Sequence, residues 1–90
     1  MKTYQVNNFK LNGDPIEIKF EPHNETFYMP VIYDKNAEIS RHIPLLIERK
    51  DVYNVMILFR RMKKDILGSP EAFRAIIAGA ISTCMKYKKS

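Results

Sequence analysis

The apolar residues of this chain change their spacing once, near Glu48-Arg49-Lys50-Asp51. Before that point they alternate, as in a strand with one buried face. After it they recur every third or fourth residue, as in a helix with one apolar stripe. A single switch of this kind, with no internal repeat and no low-complexity linker, is the pattern of an α+β chain with strands first and helices second. At 90 residues the expectation is one domain over 1–90, mainly β over 1–48, with helices over 51–67 and 70–87. A chain of that length hides only about 60–65% of its unfolded surface, so its core is small.

Within the β half, Phe9 and Leu11 alternate with Asn8 and Lys10. After Asn12-Gly13-Asp14-Pro15, Ile16, Ile18 and Phe20 alternate with Glu17, Lys19 and Glu21. Asn-Gly is favoured where both central residues of a two-residue turn need positive φ. The segment 8–21 is therefore expected to be a hairpin with Phe9, Leu11, Ile16, Ile18 and Phe20 buried. Pro15 cannot donate to the ladder and belongs to the loop or to the start of the second strand. A second β region over 26–33 has Phe27, Met29, Val31 and Tyr33 in one phase, and Pro30 argues for an edge or a bulge there. A further strand is expected through Ile39, Ile43, Leu45 and Ile47, with Pro44 again arguing for an edge.

In the helical half, Val52, Val55, Phe59, Met62 and Ile66 form one stripe with Met56 beside them. Gly68 suits a left-handed position after a helix, Ser69 can cap the next one, Pro70 fits its first turn and Glu71 favours its positive end. The second helix then presents Phe73, Ile76, Ile77, Ala80, Cys84 and Tyr87 to the core. The expected architecture is an N-terminal antiparallel sheet of three to four strands, begun by the 8–21 hairpin, followed by two C-terminal helices packed on one face. A winged-helix arrangement is the alternative, since it also joins a hairpin to basic helices.

Several kinds of chemistry lack their residues. Glu21, His23 and Glu25 alternate, but the chain holds only His23, His42 and Cys84 as His or Cys ligands, so no metal and no cofactor are expected. Cys84 falls on the apolar face of a helix, where a thiol is expected to be buried and unreactive. There is no nucleophile elbow and no Gly-rich phosphate loop among the three glycines, so an enzyme is not expected. A single cysteine forms no internal disulfide. The polar start of the chain lacks an apolar core of signal-peptide length, and no apolar run approaches the ~20 residues of a membrane span. A cytoplasmic protein without membrane contact is the expectation.

Charge supplies the functional lead. Residues 1–48 carry five positive and seven negative side chains, net −2, whereas residues 49–90 carry ten positive and three negative, net +7. A basic half beside a mildly acidic one suits an anionic partner. If the first helix runs through 51–67, Tyr53, Ile57, Arg60, Arg61 and Lys64 share the face opposite its core stripe. Long basic side chains reach phosphates, and a tyrosine can stack on a base. The reading is a small nucleic-acid-binding protein, DNA ahead of RNA, that contacts the phosphate backbone through Arg49, Lys50, Tyr53, Arg60, Arg61, Lys64, Arg74, Lys86, Lys88 and Lys89. The alternative is a protein-interaction module, such as an inhibitor, adaptor or assembly factor. It would meet a protein partner or a second copy of itself through Tyr53 and Ile57, or through the small-residue face Ala75, Ala78, Gly79 and Ser82.

Overall fold

The computed structural model describes residues 2–36 and 39–87. Strands β1 (Tyr4–Leu11), β2 (Asp14–Pro22), β3 (Phe27–Asp34), β4 (Ile39–His42) and β5 (Ile47–Glu48) come first. A 3-10 turn (Arg49–Asp51) leads into helix α1 (Val52–Arg61). Strand β6 (Asp65–Ile66) and helix α2 (Pro70–Tyr87) complete the chain. The class is α+β, and the sheet is a curled mixed one in the order β4-β3-β2-β1-β6, with β5 also paired to β3. The described residues form six strands, two of them only two residues long, where three or four were expected. The hairpin lies inside the sheet, flanked by β3 and β6, which gives no support to the winged-helix alternative.

The hairpin forms because its turn is locally encoded. Asn12 and Gly13 both have positive φ, at 52° and 87°, as the tight turn requires. All five expected core residues, Phe9, Leu11, Ile16, Ile18 and Phe20, are buried. The strands are longer than the alternation indicated because β1 contains a bulge. Val6 opposes Ile18 and Phe9 opposes Ile16, so three steps on β1 match two on β2. The extra residue lets Val6 and Phe9 both face the core and turns Asn7 and Asn8 out to solvent.

Strand β3 is interior, contrary to the edge position that Pro30 suggested. It pairs with β2 on one side and with β4 and β5 on the other. Pro30 is tolerated because it sits in the gap between the β4 and β5 pairings. Its carbonyl accepts from Ile43 N at 2.9 Å on that side. The N–H and C=O of an extended residue point the same way, so the missing donor faces the gap. The single strand expected through Ile39 to Ile47 is split there into β4 and β5. Phe27, Met29 and Tyr33 stay half-buried on the outer face, and Tyr28 and Ile32 supply the core phase.

Phe9 makes edge contacts with Phe59 of α1, at 5.9 Å and 86°, and with Phe73 of α2, at 6.0 Å and 73°. Both helices therefore lie on the same face of the sheet. Val52, Val55, Met56 and Phe59 from α1, and Phe73, Ile77 and Ile81 from α2, join the sheet residues in one core.

The largest correction concerns the first helix. It ends at Arg61, six residues short of the expected limit, and Met62 is extended. No Gly or Pro ends it. Residues 64–66 instead hydrogen-bond along the far edge of β1: Lys10 N donates to Lys64 O at 2.9 Å and Asn12 N to Ile66 O at 2.8 Å. Helix propensity differences of a few tenths of a kcal/mol per residue cannot compete with such tertiary pairing. Met62 and Ile66 still pack on the core, as the stripe indicated, but from extended backbone. Strand β6 runs parallel to β1, which makes the sheet mixed.

In α2, Ser69 Oγ accepts from Ala72 N at 3.0 Å, the expected N-cap. Three residues depart from the expected faces. Ile76 is 44% exposed, Cys84 is half-buried where burial was expected, and Ala78 packs on the core from what was expected to be the outer face. These shifts are about one residue's rotation of the helix, which a stripe of small side chains does not fix.

Candidate functional site

Strand β6 covers only Lys10 and Leu11 of β1. The edge of β1 over Gln5 to Asn8 is left facing the second half of α1, and a polar cleft of about 360 Å³ opens there. It is lined by Gln5, Val6, Asn7, Asn8, Met56, Arg60 and Lys64. The bulge is what makes it polar, because it presents two carboxamides in succession where alternation would have turned one inward. Each carboxamide offers donors and an acceptor, and Arg60 adds a guanidinium with donors only. The floor is apolar, formed by Val6 and Met56.

Lys64 is not on the helical face assigned to it. Its backbone is beyond the helix, and its ammonium turns back over the helix end. Nζ donates to the carbonyls of Arg60 at 2.8 Å and Met62 at 2.9 Å, and it lies 5.5 Å from the centre of the Phe9 ring. A lysine here satisfies orphan helix carbonyls and the negative end of the dipole. Two of its three protons are engaged by these carbonyls, and the residue also lines the cleft.

The other residues singled out in the sequence are dispersed. Arg60 and Arg61 are exposed at the end of α1. Tyr53 is 63% exposed at its start, about 10 Å along the axis from Arg60. Ile57, between them, is half-buried. Arg49 and Lys50 belong to the 3-10 turn and share a shallow cleft with Glu25 and Glu48, where Lys50 Nζ is 3.8 Å from Glu48 Oε2. Those two cations therefore have nearby carboxylates, and they stand apart from the Arg60 cleft. Arg74 is on α2, and its Nη2 donates to His42 O at 3.0 Å. Lys86 is exposed near the end of α2. Lys88 and Lys89 lie outside the described residues, as does the side chain of Tyr87.

Of the ten residues, the structure brings Arg60 and Lys64 into the cleft beside β1 and Arg49 and Lys50 into the separate shallow one. Gln5, Asn7 and Asn8 were missed. The Asn7-Asn8 pair in an otherwise alternating run was the available signal, since two successive polar residues inside a strand mark a bulge. Among the described residues no three His, Cys, Asp or Glu side chains converge, and no helix is long and apolar enough to cross a membrane. Comparison with protein-family models, curated proteins and solved structures yields no match.

Proposed function

We propose that the protein binds nucleic acid without catalysis, and that its phosphate contact is the cleft between Arg60 and the β1 bulge. The observation that carries the reading is the convergence of Arg60, Lys64 and three carboxamides on one polar cleft. Arg60 and Lys64 belong to the half of the chain with a net charge of +7, and the carboxamides come from the other half. A guanidinium recognises a phosphate through paired donors, and carboxamides can meet sugar or base edges beside it. This reading assigns a neighbouring nucleotide to Tyr53, which is exposed on the same helix.

The test is fluorescence anisotropy with labelled single- and double-stranded DNA and RNA at several salt concentrations. The expected dissociation constant is in the range of non-specific binding, about 10⁻⁴–10⁻⁶ M near physiological salt. Arg60→Ala combined with Arg61→Ala should weaken binding alike across sequences, and flatten the salt slope by about 0.9 per lost duplex contact. Stability should stay within about 0.5 kcal/mol, because both side chains are exposed. Absence of binding at about 50 mM salt and tens of micromolar protein would overturn the reading.

A second reading has its own observation. Leu67 is 84% exposed and Ile76 44% exposed, and they border a groove shared with Met62 and Ile66. Adjacent exposed apolar side chains suit a protein contact. A sizing run at two protein concentrations, with Leu67→Ser as control, separates this reading from the first. An apolar contact persists at high salt, whereas phosphate binding does not.

A further inference from the structure

At the tip end of the hairpin, between the sheet and the first turns of α2, an apolar pocket of about 100 Å³ is lined by Leu11, Ile16, Ile32 and Phe73 with Pro70. Its rim carries Arg41, Arg74 and Asp34. The four core side chains are already nine-tenths or more buried, so the floor is built by the fold itself. The rim is set by strand register. Arg41 directly opposes Ile32, and opposed residues on antiparallel strands project to the same face. The guanidinium of Arg41 is thereby carried to the helix side of the sheet, over the pocket mouth.

The rim has an excess of positive charge. Arg41 has no ion pair or hydrogen bond among the described residues, and the guanidinium of Arg74 is engaged by a neutral carbonyl, His42 O at 3.0 Å. Among the described residues Asp34 is the only carboxylate on the rim, and its Oδ1 accepts from Asn36 N at 3.0 Å. Two guanidiniums against one carboxylate leave a site for one negative charge, directly above an apolar floor. The volume limits the body of the ligand: an engineered cavity of about 150 Å³ takes benzene, so this one suits a smaller, branched aliphatic group.

We propose that this pocket binds a small monocarboxylate with a compact branched aliphatic body, its carboxylate held between Arg41 and Arg74 and its body against Ile16, Ile32 and Phe73. The chemistry is shared by a free branched-chain acid and by the C-terminal residue of a peptide ending in an aliphatic side chain. The site is separate from the Arg60 cleft and does not depend on nucleic-acid binding.

The test is a titration of the full chain, labelled at backbone nitrogen and at Ile and Leu methyls, with sodium isovalerate. Isopentanol supplies the body without the charge, acetate the charge without the body, and N-acetyl-leucine stands for a chain end. Isovalerate is expected to give saturable shifts at the methyls of Leu11, Ile16 and Ile32, with a dissociation constant on the order of 1 mM, within reach of a ligand this small. Isopentanol and acetate should each bind about tenfold more weakly. Arg41→Ala and Arg74→Met lie on the surface and should leave the rest of the spectrum in place while weakening isovalerate by about tenfold. The tighter of isovalerate and N-acetyl-leucine identifies the source. No saturation by about 20 mM isovalerate overturns the proposal, and Arg41 is then an inward charge that guards the short edge strand β4 against pairing. Equal binding of isopentanol, or unchanged binding in both arginine variants, also overturns it.

Discussion

The turn at Asn12-Gly13 and the connection from Met62 to Ser69 lie side by side, and they are held by opposite kinds of force. The turn needs nothing beyond itself: Asn and Gly accept positive φ, and the strands on either side bury alternate residues. The connection has no such local instruction. It is extended because β1 offers it a hydrogen-bonding edge and because Lys64 closes the helix it leaves. The two regions meet at one side chain. Asn12 Nδ2 donates to Gly68 O at 2.7 Å, and Gly68 N donates to Asn12 Oδ1 at 3.0 Å. The locally encoded turn thus acts as the template for the connection.

The strongest way to break this arrangement is to remove what both regions rest on. Phe9 is fully buried and touches Phe59, Phe73 and the Lys64 ammonium. Phe9→Ala should lower the unfolding free energy by about 3–5 kcal/mol, measured by chemical denaturation, and leave hairpin and connection equally exposed to hydrogen exchange. A loss below about 1 kcal/mol would mean that the two regions do not share this support.

The next test separates them through their glycines. Gly68 has φ 144°, a region where a side chain is strained, and an added Cβ would meet only Ala72 Cβ at an ordinary 3.7 Å. Gly68→Ala should therefore cost about 1–3 kcal/mol, all of it backbone strain. Gly13 has φ 87° with open space around it, and Gly13→Ala should cost about 1–2 kcal/mol. Hydrogen exchange should open the connection first in the Gly68 variant and the turn first in the Gly13 variant.

This contrast also explains what could be read in the amino-acid sequence. The hairpin, the Ser69 cap and the start of α2 were legible because each rests on residues within a few positions. The end of α1 was not, because Arg60 to Asp65 are ordinary helix residues and the partner that stops them is β1, more than 50 positions earlier in the chain. The same holds for the site. Arg60 was found by helical spacing, while Gln5, Asn7 and Asn8 were missed, because only a bulge read against β2 turns them outward. Lys64 was assigned to a surface face that its backbone does not continue.

The clamp and the lysine cap should contribute less than Gly68 and no more than Gly13. Asn12→Gly keeps the positive φ and removes both hydrogen bonds to Gly68, so about 1–2 kcal/mol should be lost, with the hairpin intact and protection of the 64–68 amides reduced. Lys64→Ala should cost about 1 kcal/mol, since two orphan carbonyls lose a charged donor. That outcome would separate Lys64 from Arg60 and Arg61, whose removal should leave stability unchanged. If all three behave alike in denaturation, the capping role assigned to Lys64 is wrong.

The smallest expected effect concerns α2, where a glycine carries no such structural duty. Gly79 is exposed in mid-helix, and a Cβ built there meets nothing within 4 Å. Its φ is not in the positive region where Gly13 and Gly68 lie. Glycine inside a helix costs roughly 0.8–1.0 kcal/mol relative to alanine, through backbone entropy alone. Gly79→Ala should therefore stabilise the protein by about 0.5–1 kcal/mol, the opposite sign to Gly68→Ala. With Ala78 packed on the core, the small-residue face reduces to Ala75, Gly79 and Ser82, and the free chain gives Gly79 no contact to protect. A gain in stability with an unchanged sizing profile would remove that face from the candidates for self-association. If Gly79→Ala instead destabilises the protein in a concentration-dependent way, a second copy packs against this helix, and the missing Cβ is what lets it approach.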